Sequence, residues 1–197
     1  MKYLTFTAIL FSLLLFVSCN EQLPLNKDLT KKNYPLVNQN GIQVTFPKNI
    51  IGHITVMGFI YTHCPDICPM TTHNMYLTEK KLKDEGIENV RFVALSFDPE
   101  RDTPEVLTEF ARIRELDFNT WTLLTGNKTT ITDLLKRFDV KAIKTDESID
   151  EEGNNDYSMM HTDRISLIDA NGQLRKNYKG STLNIAELIN DIKTLED

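Results

Sequence analysis

The sequence has few cysteines, glycines and prolines and no excess of basic residues, and each shortage excludes a class of protein. Three cysteines, eight glycines and seven prolines among 197 residues exclude a disulfide-rich miniprotein and a collagen-like or low-complexity chain. Lys and Arg (22) are outnumbered by Asp and Glu (28), and the formal net charge of -6 argues against nucleic acid as a partner. The remaining composition, 41% hydrophobic and 25% charged, is that of one globular domain with some export sequence.

The longest apolar run lies at the N-terminus and is short. Lys2 precedes a run over residues 4–17, which is too short to cross about 30 Å of hydrocarbon comfortably and suits the core of a signal peptide. The run ends in Phe16-Val17-Ser18-Cys19, which resembles the lipobox of bacterial lipoproteins, in which the cysteine is lipidated and becomes the mature N-terminus. An ordinary signal peptide cut near Ser18 and an uncleaved anchor are the alternatives.

This interpretation divides the chain into three parts. We expect residues 1–18 to be a lipoprotein signal peptide, residues 19–40 to be a polar tether, and residues 41–197 to be the folded domain. Cys19 is then the lipidation site and has no part in an active site. The domain is expected in the cell envelope, lipid-anchored to a membrane on its extracytoplasmic side, which is the periplasm in a Gram-negative cell.

Buried strands and amphipathic helices alternate through the predicted domain. Strands are predicted at residues 54–61, 90–97 and 121–124, helices at 69–85, from 103–104, at 130–138 and at 184–195, and a hairpin at 164–178. This order indicates an α/β protein with a thioredoxin-like fold, in which a central mixed sheet is flanked by helices. Residues 146–156 carry six acidic side chains and no basic one, which predicts a solvated surface loop; a negative surface for a cationic partner is the alternative.

Cys64 and Cys68 lie directly between the first buried strand and the helix that follows it. Residues four apart are neighbours on a helix, so this spacing at a helix start places both sulfurs on one side. Backbone N–H groups at a helix start favour thiolates, which are both the nucleophilic and the metal-binding form. The pair therefore suits either disulfide exchange or ligation of a soft metal. A permanent disulfide is the third interpretation, although so small a ring constrains the unfolded chain only modestly.

A metal held by two thiolates needs a further ligand, and the sequence offers four histidines. His53 precedes the first buried strand and is expected at its far end. His63 adjoins Cys64, but adjacent side chains in an extended segment point apart. His73 lies about one turn beyond the pair and reads as a surface helix residue. His161 stands just before the predicted hairpin, where a thioredoxin-like fold places it beside the start of the cysteine-bearing helix, so it is the expected ligand.

Two thiolates and one imidazole form a soft site of low coordination number. Such a site suits Cu(I), and a trigonal arrangement also tolerates Cu(II). Zinc is the rival, because two cysteines and one histidine with an open position are a known zinc arrangement. Met159 and Met160 offer a further soft ligand, although two such residues before a strand are more often part of the core.

Three linked motifs resemble the Sco/SenC family of copper chaperones across roughly residues 40–195. The first is Tyr61-Thr62-His63-Cys64-Pro65-Asp66-Ile67-Cys68-Pro69. The second is Ser96-Phe97-Asp98-Pro99-Glu100-Arg101-Asp102-Thr103-Pro104. The third is His161-Thr162 followed by a strand and Asp169-Ala170-Asn171-Gly172. The lipobox here stands in place of the transmembrane helix that is common in the family.

The resemblance implies a thioredoxin fold and copper bound by Cys64, Cys68 and His161. It also implies a role in assembling the binuclear copper centre of cytochrome c oxidase. That role is either copper delivery to the copper-bearing subunit or reduction of that subunit's cysteines, with other copper chaperones or thiol–disulfide proteins as further partners. Asp98 is implied near the site, where it would tune the metal or meet the partner, unless it is only a turn residue at a strand end.

Two other activities stay open at this point. A metal-independent thiol–disulfide oxidoreductase of the cell envelope would use Cys64 and Cys68 as a redox pair and would not need His161. A peroxide-reducing relative of thioredoxin would use one of the cysteines against the peroxide, but the chain lacks a dedicated lone cysteine for it. We expect mainly a metallochaperone, with thiol–disulfide reductase activity as the enzymatic alternative.

Overall fold

The computed structural model describes residues 23–64, 67–149 and 155–196, so the predicted signal peptide and Cys19 lie outside the described residues. Helices and strands follow in this order: β1 (Lys27–Asp28), β2 (Tyr34–Asn38), β3 (Gln43–Phe46), β4 (Ile54–Ile60), α1 (Ile67–Asp84), β5 (Val90–Ser96), α2 (Pro104–Ile113), β6 (Trp121–Thr125), α3 (Lys128–Arg137), β7 (Ala142–Ile149), β8 (Asn155–His161), β9 (Ile165–Ile168), β10 (Gln173–Tyr178) and α4 (Ile185–Glu196). Short 3₁₀ turns cover Leu29–Lys31 and Lys48–Ile50.

Eight strands form one mixed sheet in the order β1-β10-β9-β4-β5-β6-β2-β3. The central strands β4, β5 and β6 run parallel, and β9 is antiparallel to β4. Every residue of β4 is buried, as expected for a strand covered on both faces. Helices α1 and α4 pack together against β4, whereas α2 packs at β6 and α3 at β2. The predicted thioredoxin-like fold, a mixed sheet flanked by helices, is confirmed.

Local sequence signals account for several helix and strand ends. The Thr103 side chain caps α2 by accepting a hydrogen bond from the Val106 N–H, and Pro104 occupies the first turn, as the sequence predicts. The turn between β9 and β10 contains Gly172 with φ of 75°, a left-handed conformation that glycine adopts without strain. These elements depend on neighbours in the chain, so their boundaries agree closely with prediction.

Part of the predicted tether is folded, because residues 27–28 and 34–38 are strands β1 and β2 of the main sheet. Strand β1 pairs with β10, and β2 lies between β6 and β3. Leu29, Tyr34 and Leu36 are buried in the core. Pro35 fits within β2 because only Val37 and Asn38 of this strand pair with β6, so the N–H that proline lacks removes no hydrogen bond to β6. Residues 19–22 of the tether lie outside the described residues.

The predicted surface loop at residues 146–156 is partly a hairpin. Strands β7 and β8 pair antiparallel and form a two-stranded sheet of their own. Much of β7 is exposed, so its sequence lacks the alternation of apolar and polar residues that predicts a half-buried strand. Residues 150–154 lie outside the described residues. The strand β8 ends at His161, so this hairpin carries one of the three predicted ligands.

In the part of the chain that the structure describes, no helix combines the length and the apolar character needed to cross a membrane.

Candidate metal centre

Both cysteines lie where the buried strand β4 leads into helix α1. Cys68 is in the first turn of α1 and is fully buried, and the side chain of Cys64 is about 9% exposed. The backbone N–H of Cys68 donates a hydrogen bond to the Cys64 sulfur at 3.3 Å. A free N–H at a helix start stabilises negative charge, so this corner favours Cys64 as a thiolate. No disulfide joins Cys64 and Cys68 in the described structure.

Close packing between α1 and β4 sets the position of the cysteine turn. A β-carbon on Gly58 of β4 would lie 2.6 Å from the Met75 sulfur of α1 and 3.7 Å from the Thr71 methyl group. Because glycine carries no β-carbon, the helix approaches the strand more closely than another residue would allow. The helix start is therefore held firmly against the main sheet.

His161 completes the group from the end of β8. Its Nε2 atom lies 3.6 Å from the Cys68 sulfur, and the ligand atoms of Cys64, Cys68 and His161 all lie within 4.8 Å of one another. The Nδ1 atom is 3.2 Å from the Thr162 carbonyl oxygen. A carbonyl only accepts, so Nδ1 carries the proton and Nε2 presents its lone pair to the sulfurs. This is the tautomer that metal ligation requires.

Two aromatic rings border the imidazole of His161. The Phe97 ring centre is 4.7 Å from it at a tilt of 40°, and the Tyr61 ring centre is 6.1 Å away, edge-on. These rings restrict rotation of the imidazole and exclude water from one side of the group. His161 itself stays partly exposed, so the centre opens to solvent at the imidazole.

Burial and mutual contact favour a cation between the three side chains. The hydrogen bond with Cys64 and burial both raise the pKa of the Cys68 thiol. Burial alone would lower the pKa of His161, but the contact with Cys64 and the Thr162 carbonyl outweigh it, so the pKa of His161 is raised. A second buried thiolate is costly without a positive charge beside it. A soft cation supplies that charge and displaces the Cys68 proton.

Asp102 stabilises the turn that leads to Cys64 through hydrogen bonds. Its role could not be predicted from the sequence. Its buried carboxylate accepts hydrogen bonds from the Thr62 backbone N–H at 3.2 Å, the Thr62 hydroxyl at 2.6 Å and the Ser96 hydroxyl at 2.6 Å. Burial raises the pKa of Asp102 despite these bonds. The only sequence signal was its place in the second motif, because its partners lie 40 and 6 residues away in the chain.

Asp98 is close to the site, but its bonds lead to the hairpin. It accepts a hydrogen bond from the Tyr157 hydroxyl at 2.6 Å and pairs with the Arg101 guanidinium at 2.6 Å. Within the described residues, none of its hydrogen bonds reaches Cys64, Cys68 or His161. Asp98 therefore acts on the strand that carries His161 and is not itself placed as a ligand.

The other histidines have different surroundings. His53 contacts the Asn89 side chain at 2.7 Å near the start of β4, at the strand end away from the cysteines. His73 stacks on Tyr76 along α1. His63 is exposed, and its Nδ1 atom lies 3.1 Å from the hydroxyl of its neighbour Thr62. Across the described ranges, the one group of three histidine, cysteine or acidic residues close enough to hold a metal is the predicted one.

The two methionines before His161 differ from each other. Met159 is partly buried and packs against the hydrophobic core, whereas the side chain of Met160 is 63% exposed. The donor set that the geometry brings together is therefore two sulfurs and one imidazole nitrogen. These donors fit a soft cation of low coordination number, above all Cu(I).

Comparison with known proteins agrees with the fold. A family model described as SCO1/SenC matches residues 23–197. The structure of a SCO1/SenC family lipoprotein from Bacillus anthracis is 33% identical, covers 88% of this chain and 98% of its own, and has a TM-score of 0.74. Copper-bound ScoI from Arabidopsis thaliana is 28% identical over 84% of this chain and 97% of its own, with a TM-score of 0.71.

A third similar structure is BsSco, described as a member of the Sco family of cytochrome c oxidase assembly proteins in which a disulfide switch was identified. It is 30% identical, covers 88% of this chain and 97% of its own, and has a TM-score of 0.70. The family model spans almost the whole folded region, and these relatives share its architecture. This chain belongs to the SCO1/SenC family.

Proposed function

We propose that this protein binds one copper ion through Cys64, Cys68 and His161 and assists assembly of the binuclear copper centre of cytochrome c oxidase. The observation that carries the proposal is the convergence of two sulfurs and one imidazole nitrogen within 4.8 Å. Bound copper in the similar ScoI of Arabidopsis thaliana and the oxidase-assembly role of the Sco family of BsSco support it. Copper is the cargo here, and the copper-bearing oxidase subunit is the recipient.

Transfer of the cargo follows from the unequal exposure of the ligands. Cys68 is fully buried and Cys64 nearly so, whereas His161 is partly exposed. A recipient's thiolate or imidazole therefore approaches from the His161 side and replaces that ligand first. The two sulfurs then exchange in turn, so that copper keeps ligands throughout and is never released into water.

A thiol–disulfide step is the second candidate, and the two adjacent cysteines favour it. The Cys64 thiolate attacks a disulfide of the recipient, which gives a mixed disulfide and one recipient thiolate. Cys68 passes its proton to that recipient thiolate and attacks the Cys64 sulfur, so the Cys64–Cys68 bond forms and the second recipient sulfur leaves as a thiolate, which takes a proton from water to complete the dithiol. The reaction oxidises this pair by two electrons, reduces the recipient equally and removes both sulfur ligands from any bound copper.

The membrane anchor is part of the proposal. A lipid on Cys19 would hold the domain on the extracytoplasmic face of a membrane, and the lipoprotein from Bacillus anthracis supports this. The Leu23 carbonyl oxygen accepts a hydrogen bond from Arg175, Leu23 packs against the core, and the Asn26 N–H donates to the Leu174 carbonyl oxygen, so the tether proposed here is the four residues 19–22. Fully extended, four residues span at most about 13–14 Å. The recipient's metal site must then come within a short distance of the bilayer.

The test is a titration of the reduced domain with Cu(I) in competition with a chromogenic Cu(I) chelator. Wild-type protein is expected to bind one equivalent tightly, and Cys64→Ser, Cys68→Ser and His161→Ala are each expected to bind far more weakly. His73→Ala is the matched control, because this histidine lies on the same helix but outside the group. Wild-type affinity in all three ligand variants would contradict the site assignment.

A second measurement separates the two candidate activities. Reduction of a recipient's disulfide should need Cys64 and Cys68 and be indifferent to His161→Ala, whereas copper transfer should need all three residues. In cells that lack the protein, cytochrome c oxidase activity should fall. Rescue by His161→Ala as complete as rescue by wild type would favour the thiol–disulfide role.

A further inference from the structure

The metal centre is divided between two sheets, and only one of them has a large core. Cys64 and Cys68 follow β4 of the main sheet, whereas His161 ends β8 of the hairpin β7–β8. Within the described residues, β7 and β8 pair only with each other. A two-stranded hairpin is marginally stable in water by itself. Its position against the cysteines must therefore come from side-chain contacts with the main body.

The strongest of these contacts is a cluster of the buried side chains of Tyr157 and Asp98 with the partly exposed Arg101, which we name the Tyr157 clamp. The Tyr157 hydroxyl donates to one Asp98 oxygen at 2.6 Å, and the Arg101 Nε donates to the other at 2.6 Å. Arg101 also donates to the Tyr157 carbonyl oxygen at 3.0 Å, and its guanidinium carbon lies 3.6 Å from the Tyr157 ring centre. Buried bonds to a charged group are among the strongest in proteins.

The clamp acts on the face of β8 that presents His161. Alternate residues of a strand point to the same side, so Tyr157, Met159 and His161 share one face. Next to the clamp, the Met159 N–H donates to the Tyr61 hydroxyl at 3.4 Å, and the Tyr61 ring borders the imidazole. The contacts that hold the hairpin therefore act within four residues of the ligand.

We propose that Tyr157, with Asp98 and Arg101, is a positioning residue that holds the His161 imidazole within bonding distance of a metal on the two cysteines. This inference rests on the proposed copper site. A metal ligand must be held to within about 0.5 Å of its productive position. Without the clamp, the hairpin keeps its pairing but its orientation to α1 is less restricted, so His161 occupies the ligand position for a smaller fraction of the time.

The chain offers a matched control for this proposal. Tyr178 donates a hydrogen bond to Asp191 at 2.6 Å, the same length and chemistry as the Tyr157–Asp98 bond, but it joins β10 to α4. Tyr157→Phe and Tyr178→Phe each remove one hydroxyl, so that Asp98 or Asp191 loses one hydrogen-bond donor. Both should therefore lower the melting temperature by similar amounts. Only the first touches the hairpin that carries His161.

The experiment measures Cu(I) affinity by chelator competition and the ligand set by X-ray absorption, for wild type and both variants. Tyr157→Phe is expected to weaken affinity about 10-fold or more, as changes to residues that orient metal ligands do, and to lower the nitrogen contribution to the copper shell. Tyr178→Phe is expected to keep wild-type affinity and ligand set. Equal affinity and equal spectra in the two variants would overturn the proposal.

Two further samples keep the outcomes distinct. If Tyr157→Phe does not fold, Asp98→Asn takes its place. This variant keeps an oxygen that accepts from the Tyr157 hydroxyl but loses the negative charge that pairs with Arg101. Asp98→Asn should weaken Cu(I) affinity, and wild-type affinity in this variant would overturn the role of the clamp. His161→Ala tests the copper site itself. If its affinity equals that of wild type, the proposed function fails. If it binds weakly while Tyr157→Phe binds normally, only the clamp fails.

Discussion

The main sheet and the hairpin β7–β8 are held in place by different kinds of interaction. Strand β4 is buried along its whole length, and apolar packing fixes its position. The hairpin exposes large apolar side chains, such as Ile149 at 73% and Ile143 at 55%, and is held by a few polar contacts together with Met159, which packs against the core. The two sulfurs of this centre therefore belong to the main sheet and its core, whereas the imidazole belongs to the hairpin, which is attached to that core.

This division suits a protein that must hold a metal and then give it up. A site built wholly within the main body would bind tightly but would offer no ligand that a recipient can displace. Because His161 lies on the attached part, the loss of one ligand needs only a small movement of the hairpin and no unfolding of the core. The two bodies can then be perturbed independently.

The largest effect is expected from a core substitution in the main body. Phe92 is buried in β5 and stacks on Trp121 with ring centres 5.1 Å apart. Phe92→Ala removes a large buried side chain and should lower the free energy of unfolding by about 3–5 kcal/mol. Ile149→Ala in the hairpin should change it by less than about 0.5 kcal/mol, because surface substitutions rarely do more. Urea denaturation of the metal-free protein measures the free energy of unfolding of both variants. Equal losses of stability would contradict the difference between the main sheet and the hairpin.

Ligand substitutions should differ according to the body that carries them. Cys68→Ser removes a buried sulfur ligand from the rigid part, and we expect Cu(I) affinity to fall by more than about 100-fold, above the usual cost of altering a residue that only orients a ligand. His161→Ala should weaken affinity less, because both sulfurs remain in place. Chelator competition ranks the Cu(I) affinities of the two variants. A greater loss of affinity in His161→Ala than in Cys68→Ser would contradict the division of the centre between the main sheet and the hairpin.

Asp102 supports the rigid part, and the direction of its pH effect can be predicted. Its pKa is raised by burial, so the folded protein holds this proton more tightly than the unfolded chain. The resulting stabilisation is fully present below the unfolded pKa of about 3.9 and is lost as the pH rises through the folded pKa. Asp102→Asn, which does not titrate, should lack this decline. Urea denaturation above pH 4 tests it, and parallel pH profiles for the two proteins would contradict the prediction.

The smallest effect is expected at the exposed edge of the hairpin. Glu100 pairs with Lys128 and with Lys144 of β7, and these bonds lower the pKa of Glu100 to about 2. A lowered pKa means that the stabilisation is present above the unfolded value near 4.3 and is lost as the pH falls toward 2. Because the group is exposed, Glu100→Gln should cost only a few tenths of a kcal/mol. Thermal unfolding at low and high salt measures it, and a loss that does not shrink in high salt would argue against an ion pair.

Residues near one another in the chain were predicted well. Strand β4 ends one residue before the predicted end, and the cap of α2 at Thr103 is confirmed, because continuous apolar runs and caps are local signals. The three ligand side chains are also together as predicted. Chain order places the cysteines at a helix start, and the fold brings the end of β8 beside them.

Features that depend on distant partners could not be read from the sequence. Strand β2 was assigned to the tether, because its place between β6 and β3 is decided by pairing with segments far along the chain. The hairpin β7–β8 has too little buried surface to show an apolar period. Asp98 was expected either near the site or as a turn residue at a strand end, and its bond to Tyr157 could not be predicted because the two residues are 59 positions apart in the chain.

The central claim is that one copper ion bridges the rigid part and the hairpin through two sulfurs and one imidazole nitrogen. X-ray absorption on the reduced protein loaded with one equivalent of Cu(I) tests this most directly, with His161→Ala measured beside it. We predict a copper shell of two sulfurs and one nitrogen in the wild type and loss of the nitrogen in the variant. The same shell in both proteins would contradict the account.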